Sequence, residues 1–402
     1  MQHGFLSESS LLQSKAPPSL VPRCGACGLF KGCRSPKMPF DGKGKRKILI
    51  VGEAPGSEED REGKPLVGPT GKMLESYLAE FGVEMRRDCW LTNSAICHPP
   101  GNRYPDKTVD YCRPTVIRTI EKLQPEVIIL LGGKAIQSVI GWLWGGEIGP
   151  VSRWVGWQIP SQQLNAWVCP TWHPAYLLRE KNEKTRGVTE LLLKEHLEAA
   201  CSLKGRPWRE VPDYRSCIQI EMNPEQVAKL IRTISRDDVR EWAFDFETDR
   251  LKPDHPASQI VCCAISDGLI TLAYPWHGTA IEATRLFLES NIPKIGYNLK
   301  FEDRWCRKIF SCGVNNWVWD GMLAAHTLDN RPGITSLKFQ AFVRLGVPAY
   351  NEHIRPFLEA KGVNEVNRIR EVDLQDLLTY NALDALLEWK VAEHQRKEMS
   401  DE

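Results

Sequence analysis

Three features are scarce or missing in this 402-residue sequence, and each absence excludes a class of protein. No run of 18 apolar residues occurs, so the sequence predicts no membrane-spanning helix. The N-terminus lacks the apolar stretch of a signal peptide, which favours a protein of the cytoplasm. The formal net charge is only +1, so any contact with nucleic acid must come from local basic patches and not from a global field.

Cysteine and tryptophan are instead abundant, with 13 and 14 residues. Without a secretion signal, so many cysteines argue against a disulfide framework and for metal binding or burial. Six of the tryptophans fall between Trp142 and Trp172, where we expect packing in a core or interface more often than stacking on bases.

Length and composition predict two domains with separate cores, because 42% of the residues are hydrophobic. Residues 1–20, rich in Ser, Gln and Pro, are predicted to form a loose tail, and residues 21–203 a first domain. Residues 204–216 contain glycine, two prolines and scattered charge, which is typical of a linker. Residues 217–402 then form a second domain.

The first domain is organised around residues 51–73, VGEAPGSEEDREGKPLVGPTGKM. The preceding β-branched run, KILIV at residues 47–51, predicts a buried strand, and residues 74–81 repeat apolar side chains at helical spacing up to Gly82. A strand, a Gly/Pro-rich loop and a helix place the loop at the carboxyl edge of a parallel sheet, where ligands bind. Taken alone, the loop is equally compatible with a plain connection.

The rest of the first domain continues the alternation of strands and helices. The patterns predict strands at residues 90–96, 126–131 and 166–171, and helices at residues 107–123, 134–140 and 186–201. Alternation of this kind implies an α/β fold, a parallel sheet with helices on both faces. Glu53, Asn93 and His173 then lie at or near the carboxyl ends of strands, close enough to share one pocket.

Five cysteines of the first domain have the spacing of a metal site. Cys24 and Cys27 form a CxxC pair, and Cys97 and Cys112 are separated by 15 positions. Four thiolates suit either zinc or an iron–sulfur cluster, and spacing alone does not choose between them. Cys33 is left over and is an alternative to one member of the first pair.

The second domain carries acidic residues on two predicted elements. Asp245 and Glu247 stand at i and i+2 of a predicted strand, so both point to one face. Tyr380 and Asp384 stand at i and i+4 of a long predicted helix at residues 371–397, again on one face. Between them lies GYNLKFED, residues 296–303. Carboxylates gathered from separate elements repel unless cations neutralise them, which predicts a two-metal phosphodiesterase site holding Mg²⁺ or Mn²⁺.

Three ordered motifs in the first domain resemble those of the iron–sulfur uracil-DNA glycosylases of family 4. GEAPGSEED followed by GKPLVGPTGKML matches the first motif, TNSAICHPPGNR at residues 92–103 the middle one, and HPAY at residues 173–176 the last. The resemblance covers about residues 24–200. It implies an α/β/α domain around a four-stranded parallel sheet.

By this resemblance, a 4Fe–4S cluster binds to Cys24, Cys27, Cys97 and Cys112. A glycosylase must flip its base out of the stack and read the base's Watson–Crick edge. Asn93 would read the O4/N3 edge of uracil, and His173 would stabilise negative charge at O2 of the departing base. Glu53 would position or activate water, or stabilise the sugar cation.

The same resemblance assigns the substrate-binding loop of the first motif. Its residues are Gly52, Ala54, Pro55, Gly56 and Leu66. Leu66 departs from the family, which has an aromatic residue here that stacks on the flipped base. Leucine covers a ring face but lacks the aromatic pairing energy of about 0.5–1.5 kcal/mol.

Three tracts of the second domain, DFET, NLKFED and YNALD, resemble the exonuclease motifs of the proofreading domain of bacterial-type family A DNA polymerases. The match runs over about residues 217–399 and includes WDGML at 319–323 and SLK at 336–338. It implies a ribonuclease H-like fold with a mixed sheet and an Asn298 that binds substrate.

The exonuclease resemblance also assigns the metal site. Asp245, Glu247 and Asp384 would hold two Mg²⁺ or Mn²⁺ ions, and Tyr380 would orient the attacking water. The third motif carboxylate of the family is an aspartate, whereas this chain has Glu302 at that position with Asp303 beside it. Either residue could be the ligand at this stage, and Glu302 is preferred.

These patterns predict a DNA-processing enzyme that combines uracil excision with 3′–5′ exonucleolytic hydrolysis. One alternative is that the first domain only binds DNA or uracil for the nuclease. Another is an RNA-trimming nuclease, because ribonuclease D-like enzymes share the carboxylate and tyrosine set.

The sequence also leads us to expect a polymerase partner. Only 18 residues follow Asp384, too few for polymerase domains, so we expect a separate DNA polymerase polypeptide to bind this protein and supply its 3′ ends. The segment from Trp142 to Trp172 and the helix from Glu371 to Lys397 are the predicted docking surfaces.

Overall fold

A computed structural model describes residues 21–105, 107–235, 240–360, 362 and 365–400. The described chain divides into two compact units, one of residues 21–211 with Leu345–Ala349 and the other of residues 212–344 and 350–400. The boundary between Val211 and Pro212 falls inside the segment predicted as a linker, whereas the predicted tail lies outside the described residues. No helix formed by the described residues is long and apolar enough to cross a membrane.

The first unit is built on a five-stranded sheet. Its strands are β1 (Ile48–Gly52), β2 (Cys89–Asn93), β3 (Val127–Leu131), β4 (Ile159–Ser161) and β5 (Ala166–Thr171). They lie in the order β2-β1-β3-β5-β4, in which the first four are parallel and β4 is antiparallel to β5. The predicted four-stranded parallel sheet is therefore confirmed. The edge strand β4 was not predicted, because three residues centred on Pro160 give no strand pattern, although an edge position tolerates proline.

Helices cover both faces of this sheet. They are α1 (Cys24–Cys27), α2 (Ser57–Glu62), α3 (Pro69–Glu80), α4 (Met85–Asp88), α5 (Thr108–Leu123), α6 (Gly132–Leu143), α7 (Ala175–Arg179) and α8 (Glu183–Ser202). Ile48 and Ile50 pack into one core with side chains of α3 and α8. Leu49 and Val51 point to the other face, where α6 packs on β1 and β3. Every residue of β1 and β3 is buried, as expected for strands covered on both sides.

The second unit contains a six-stranded mixed sheet. Its strands are β6 (Ile218–Ile220), β7 (Trp242–Thr248), β8 (Ile260–Ser266), β9 (Thr271–Pro275), β10 (Lys294–Gly296) and β11 (Trp317–Asp320). The order is β11-β10-β7-β8-β9-β6. Strands β7, β8 and β9 form an antiparallel meander, while β10 and β11 run parallel to β7. This is the ribonuclease H-like arrangement with β6 added at one edge, which confirms the predicted fold class.

Strand alternation in β7 decides which side chains reach the acidic site. The helices of this unit are α9 (Pro224–Ile234), α10 (Thr279–Glu289), α11 (Lys300–Phe310), α12 (Gly321–Leu328), α13 (Leu337–Leu345), α14 (Arg355–Leu358) and α15 (Leu374–Ser400). Phe244 and Phe246 join the core that α9 and α10 cover, whereas Ala243 lies in a cluster with α15. Asp245 and Glu247 share the face of Ala243, so they point toward α15.

Helix α15 lies largely inside the second unit, although its sequence was predicted to form a docking surface. It begins three residues later than predicted, and 14 of its 27 residues are buried. Its apolar side chains pack inside the second unit, so the predicted docking surface from Glu371 to Lys397 offers little apolar area. The other predicted surface is similar, because Trp154 is fully buried and the remaining five tryptophans between Trp142 and Trp172 are half-buried.

Candidate functional sites

Strand ends of the first sheet bring Glu53, Asn93 and His173 around one point. Gly52 pairs with Asn93 between β1 and β2, and a Cβ atom on Gly52 would collide with the Asn93 amide oxygen. Next to β1, a Cβ atom on Gly132 would lie 2.8 Å from both Glu53 Oε1 and His173 Cβ. These two glycines leave the space in which the three predicted side chains gather.

His173 is held in one tautomer by the short helix that follows it. The backbone N–H of Ala175 donates to Nδ1 over 3.2 Å, so in the neutral ring the proton resides on Nε2. Burial lowers the pKa of His173, and the negative charge of Glu53 opposes this only in part. The imidazole is therefore neutral near pH 7 and offers one N–H donor.

Asn93 and Tyr104 complete this pocket. The side chain of Asn93 is 4% exposed, and among the residues that the structure describes none is hydrogen-bonded to its amide. Burial, with the charge of Glu53, raises the pKa of Tyr104 to about 12. The phenol is therefore neutral, and it lies close enough to Glu53 to be affected by that charge. The Asn93 amide is thus free to offer a donor and an acceptor to a bound base.

Glu59, to which the sequence analysis gave no role, ties the two ends of the binding loop together. Its Oε2 accepts from the N–H of Gly56 and its Oε1 from the N–H of Gly68, both over 2.9 Å. A glutamate three residues after Gly56 has the spacing of a helix capping box, which is the signal that identifies it. The carbonyl of Pro55 accepts from His98 Nδ1 over 2.7 Å, which fixes the start of the loop.

Leu66 lies deeper than a surface loop residue. Its side chain is 6% exposed and belongs to the core cluster of the first unit, while its backbone has a left-handed φ of 54°. Arg86 donates to the carbonyls of Pro65 and Leu66 over 3.1 Å each, which holds this turn. Ala54, by contrast, is half-buried beside Glu53.

Four cysteines line a cavity in the first unit. They are Cys24, Cys27, Cys97 and Cys112, accompanied by apolar residues such as Phe30. Cys33 does not line the cavity, and its thiol donates to the Leu29 carbonyl over 3.3 Å. The lining set thus coincides with the four thiols that the family resemblance implies.

The spacing of these thiols bears on the kind of metal. At a tetrahedral zinc ion the sulfurs lie about 3.8 Å apart, given Zn–S bonds of about 2.3 Å. Within the described part of the chain, no three cysteine sulfurs lie within 4.8 Å of one another. The wider, apolar cavity fits a multi-iron cluster better than a single ion. Burial raises the pKa of Cys97 to about 11 and of Cys112 to about 12, so a cationic group must displace their protons.

The second unit brings three predicted carboxylates together. Oxygens of Asp245, Glu247 and Asp384 all lie within 4.8 Å of one another. Asn381 orients the first of them, because its side-chain amide donates to Asp245 Oδ2 over 2.7 Å. Burial, with the charge of Asp384, raises the pKa of Asp245 to about 8, and burial also raises the pKa of Glu247. Carboxyl groups whose pKa is raised in this way have too little positive charge near them to stabilise their ionised forms.

Lys338 and Tyr350 are the partners of Asp384. The Lys338 ammonium bonds one oxygen of Asp384 and the Tyr350 hydroxyl donates to the other. The Lys338 nitrogen also lies 4.8 Å from the ring centre of Tyr380 and 5.4 Å from that of Tyr350. Burial lowers the pKa of Lys338, but the charge and hydrogen bond of Asp384, together with the charges of Asp245 and Glu247, outweigh that effect and the net pKa is raised. Lys338 is therefore the resident cation of the carboxylate cluster.

The structure separates the two candidates for the remaining carboxylate. Glu302 is 2% exposed, feels the charge of Asp245, and has an Oε2 atom that is buried with no hydrogen-bond partner. Asp303 accepts from the N–H of Val314 over 3.0 Å and pairs with Arg307 over 2.6 Å. Adjacent helical residues point about 100° apart, so the contacts of Asp303 with Val314 and Arg307 leave Glu302 as the better candidate. The Glu302 oxygens lie outside the group of carboxylates that meets within 4.8 Å.

Asn298 occupies a strained turn at the start of α11. Its φ is 69°, and Asp320 accepts from the N–H groups of Asn298 and Leu299 over 3.1 and 3.2 Å. The same aspartate caps α12 by accepting from Met322. Tyr380, predicted to orient water, is 5% exposed and packs beside Tyr350, with ring centres 6.1 Å apart.

Several residues of the second site had no assigned role in the sequence analysis. Lys338 and Asp320 lie in tracts that carry the exonuclease resemblance, and Asn381 lies in YNALD, so a closer reading of those tracts would have found them. Tyr350 has no such signal, because the segment around it has neither periodicity nor a motif.

The sequence of this chain is similar to those of known DNA-processing proteins. Residues 39–195 match the family model described as the uracil DNA glycosylase superfamily. The chain is 37% identical over 166 residues to the type-4 uracil-DNA glycosylase of Pyrobaculum aerophilum, covering 40% of this chain and 82% of that protein. It is also 24% identical over 335 residues to a DNA polymerase of Bacillus phage SP01, covering 73% of this chain but only 34% of the polymerase.

Solved structures share parts of the fold. The catalytic core of RRP6 from Trypanosoma brucei matches with 15% identity and a TM-score of 0.35, covering 46% of this chain and 48% of that one. RNase D of Escherichia coli matches with 17% identity and a TM-score of 0.35, covering 46% and 45%. This chain thus spans less than half the length of either structure.

Proposed function

Because this chain belongs, through its first unit, to the type-4 uracil-DNA glycosylases, we propose that it excises uracil from DNA and also hydrolyses DNA from 3′ ends. We place the glycosylase in residues 21–203, the linker in 204–216 and the exonuclease in 217–402. For excision, the proposal rests on the convergence of Glu53, Asn93 and His173 at one edge of the first sheet.

The first site is suited to stabilising uracil as it leaves. The free amide of Asn93 donates to O4 and accepts from N3–H of a flipped uracil, a pairing that cytosine does not offer. The Nε2–H of His173 donates to O2, where negative charge grows as the glycosidic bond breaks. Glu53 holds the water that attacks the sugar carbon, and the loop at Gly52, Ala54, Pro55, Gly56 and Leu66 encloses the base.

The cysteine cavity of the first unit would hold a 4Fe–4S cluster on Cys24, Cys27, Cys97 and Cys112. The residues fit this group, since four soft donors and an apolar lining meet in one cavity. The backbone N–H of Lys37 donates to Cys97 over 3.2 Å, which favours the thiolate form. The cysteines take no part in excision; they join the loop around Cys24 to the segment after β2.

The second site is suited to two-metal phosphodiester hydrolysis. Asp245, Glu247, Glu302 and Asp384 would hold two Mg²⁺ or Mn²⁺ ions, which would neutralise the phosphate and activate a water. Tyr380 orients that water, and Asn298 contacts the terminal nucleotide. Asn381 fixes the orientation of Asp245, because its side-chain amide donates to the Asp245 carboxylate.

Three similarities to other proteins favour DNA as the substrate. The type-4 relatives are uracil-DNA glycosylases, the phage relative is a DNA polymerase, and the exonuclease tracts resemble those of family A polymerases. An RNA-trimming role would fit the carboxylate set alone but not the first site.

A single assay tests both activities. Labelled single strands of DNA and RNA, with and without a central uracil, are incubated with the protein in Mg²⁺ or in EDTA. We expect abasic-site formation on uracil DNA in both buffers, and stepwise 3′ shortening of DNA only in Mg²⁺.

The Asp245→Ala variant separates the two activities. It should lose 3′ shortening and keep excision, because Asp245 lies in the second unit. Tyr380→Phe should slow shortening less, since it leaves the carboxylates in place. Shortening that survives Asp245→Ala would refute the nuclease assignment, and absence of abasic sites under every condition would refute the glycosylase.

A further inference from the structure

Glu388 is a buried carboxylate that the proposed reaction does not use. It lies on α15 four residues after Asp384 and is 2% exposed. Residues at i and i+4 share a helix face, and side chains on a helix lean toward its N-terminus. The Glu388 carboxylate therefore leans toward the turn that holds Asp384.

No donor in the described part of the chain satisfies Glu388. Its Oε2 is buried without a hydrogen-bond partner. The charge of Glu388 raises the pKa of two nearby tyrosines, but neither donates a hydrogen bond to it. Tyr297 donates to the Thr335 carbonyl over 2.8 Å, and Tyr350 donates to Asp384. Lys338 bonds Asp384 and not Glu388.

The residues around Glu388 further disfavour a negative charge on its carboxylate. Burial, together with the charges of Asp245, Glu302 and Asp384, disfavours its ionised form. Glu302 has the same defect, a buried Oε2 with no partner. Unpartnered carboxylate oxygens on neighbouring elements are costly unless a cation or a cation-bound water lies near them.

We propose that Glu388 is a fifth carboxylate of the nuclease metal centre, which accepts hydrogen bonds from water bound to the ion held by Glu302. Glu388, like Glu302, is not among the carboxylates that meet within 4.8 Å. Because Asp245, Glu247, Glu302 and Asp384 already supply the proposed direct ligands, Glu388 would act through water and is a positioning residue. Mg²⁺ and Mn²⁺ sites retain several waters and leave room for such a contact. This inference rests on the proposed nuclease function.

Metal binding without DNA provides the test. Titration of the full chain with Mn²⁺, followed by electron paramagnetic resonance of the free ion, compares wild type with Glu388→Gln, Glu393→Gln and Asp245→Ala. Glu393 is exposed on the same helix, so Glu393→Gln removes the same charge away from the site. Glutamine keeps the shape of Glu388 and removes only its charge.

We expect Glu388→Gln to weaken the weaker Mn²⁺ site about tenfold, as loss of an outer ligand does, while Glu393→Gln binds like wild type. The Mg²⁺ concentration for half-maximal digestion should rise in parallel, with kcat recovered at saturating Mg²⁺. Equal Mn²⁺ binding by Glu388→Gln and Glu393→Gln would overturn the role of Glu388. If Asp245→Ala also binds Mn²⁺ like wild type, the nuclease site itself is misassigned, so the two failures are distinguishable.

Discussion

A single backbone contact decides how His173 can act. The Ala175 N–H occupies Nδ1, and burial keeps the ring neutral, so the one proton points away from the backbone on Nε2. Protonation at Nδ1 would require this contact to break. Catalysis by a neutral donor follows from the tautomer, which the sequence motif alone does not specify.

We predict that His173→Ala lowers the excision rate by about 10²–10³, the loss usual for one oxyanion-type donor. His173→Gln, which keeps an N–H donor, should recover part of the rate. Single-turnover measurements on uracil DNA in EDTA give both values, with His326→Ala, an exposed histidine of the other unit, as control. Excision that is unchanged in His173→Ala would show that the assigned role is wrong.

The same residue predicts the pH dependence of excision. Because the pKa of His173 is lowered, its neutral form persists below the ordinary histidine value of about 6.5. The wild-type rate should therefore stay level as the pH falls through 6.5 and decline only below it. A wild-type rate that halves near pH 6.5 while that of His173→Gln stays level would contradict the lowered pKa.

Lys338 predicts how the second unit responds to metal. Without metal ions its ammonium is the cation that bonds Asp384, and the carboxylates of Asp245 and Glu247 lie nearby. Removing one partner of a largely buried ion pair costs about 3 kcal/mol. Lys338→Met should thus lower the stability of the second unit in EDTA, and Mg²⁺ should restore most of it by supplying the missing charge. Thermal unfolding in EDTA and in Mg²⁺ measures this, with the exposed Lys397→Met as control; equal losses in both buffers would count against the cation role.

At the scale of elements, the cysteine segment shows how a short helix is made stable. Helix α1 has four residues and would not form alone. Two contacts fix its surroundings: the Arg23 N–H donates to the Tyr111 carbonyl, and Asp60 accepts from the N–H groups of Arg34 and Ser35. Cys24 and Cys27 share a cavity with Cys112 of α5 and with Cys97 after β2, so the proposed cluster would join α1 to both segments.

We predict that the purified protein is brown and that Cys97→Ser loses its colour and iron, since thiolate-to-iron charge transfer gives the colour. The first unit of this variant should unfold at lower temperature, while Mg²⁺-dependent digestion by the second unit persists. Cys33→Ser is the matched control, because Cys33 does not line the cavity and should keep full iron content. Anaerobic preparations that are colourless and contain stoichiometric zinc would refute the cluster.

At the scale of the whole molecule, two units with separate cores carry two separate sites. A net charge of +1 gives the chain little general affinity for phosphate, because nonspecific binding comes from neutralising phosphates. The proposed nuclease would therefore need another source of affinity for DNA. The similarity to a phage DNA polymerase covers 73% of this chain and 34% of that polymerase.

We predict that a separate DNA polymerase polypeptide from the same genome binds this protein. Size exclusion of the mixture should show a joint peak, and digestion of frayed primer ends should be faster in the mixture than with the protein alone. A polymerase from an unrelated source serves as control. The partnership is wrong if the protein elutes alone in every mixture and degrades single strands at full rate unaided.

Local patterns in the sequence were sufficient for the elements and for most of the site. Buried strands such as β1 and β3 are visible as short β-branched runs, because both faces of a central parallel strand are covered. The i, i+2 spacing of Asp245 and Glu247 puts both on one face of β7 regardless of the rest of the chain. These features depend on neighbours within one element, so the sequence by itself determined them.

Only the tertiary structure decided which neighbouring candidates face a site and which groups surround them. Glu302 and Asp303 differ by one helical step, and the contacts of Val314 and Arg307 commit Asp303 elsewhere. Cys33 likewise stands outside the set of cysteines that lines the cavity, although its thiol lies beside that of Cys97. Tyr350 reaches Asp384 across 34 positions of the chain, and no local pattern records a contact of that range. Side-chain direction and long-range contact arise from packing, and packing is set only when distant elements meet.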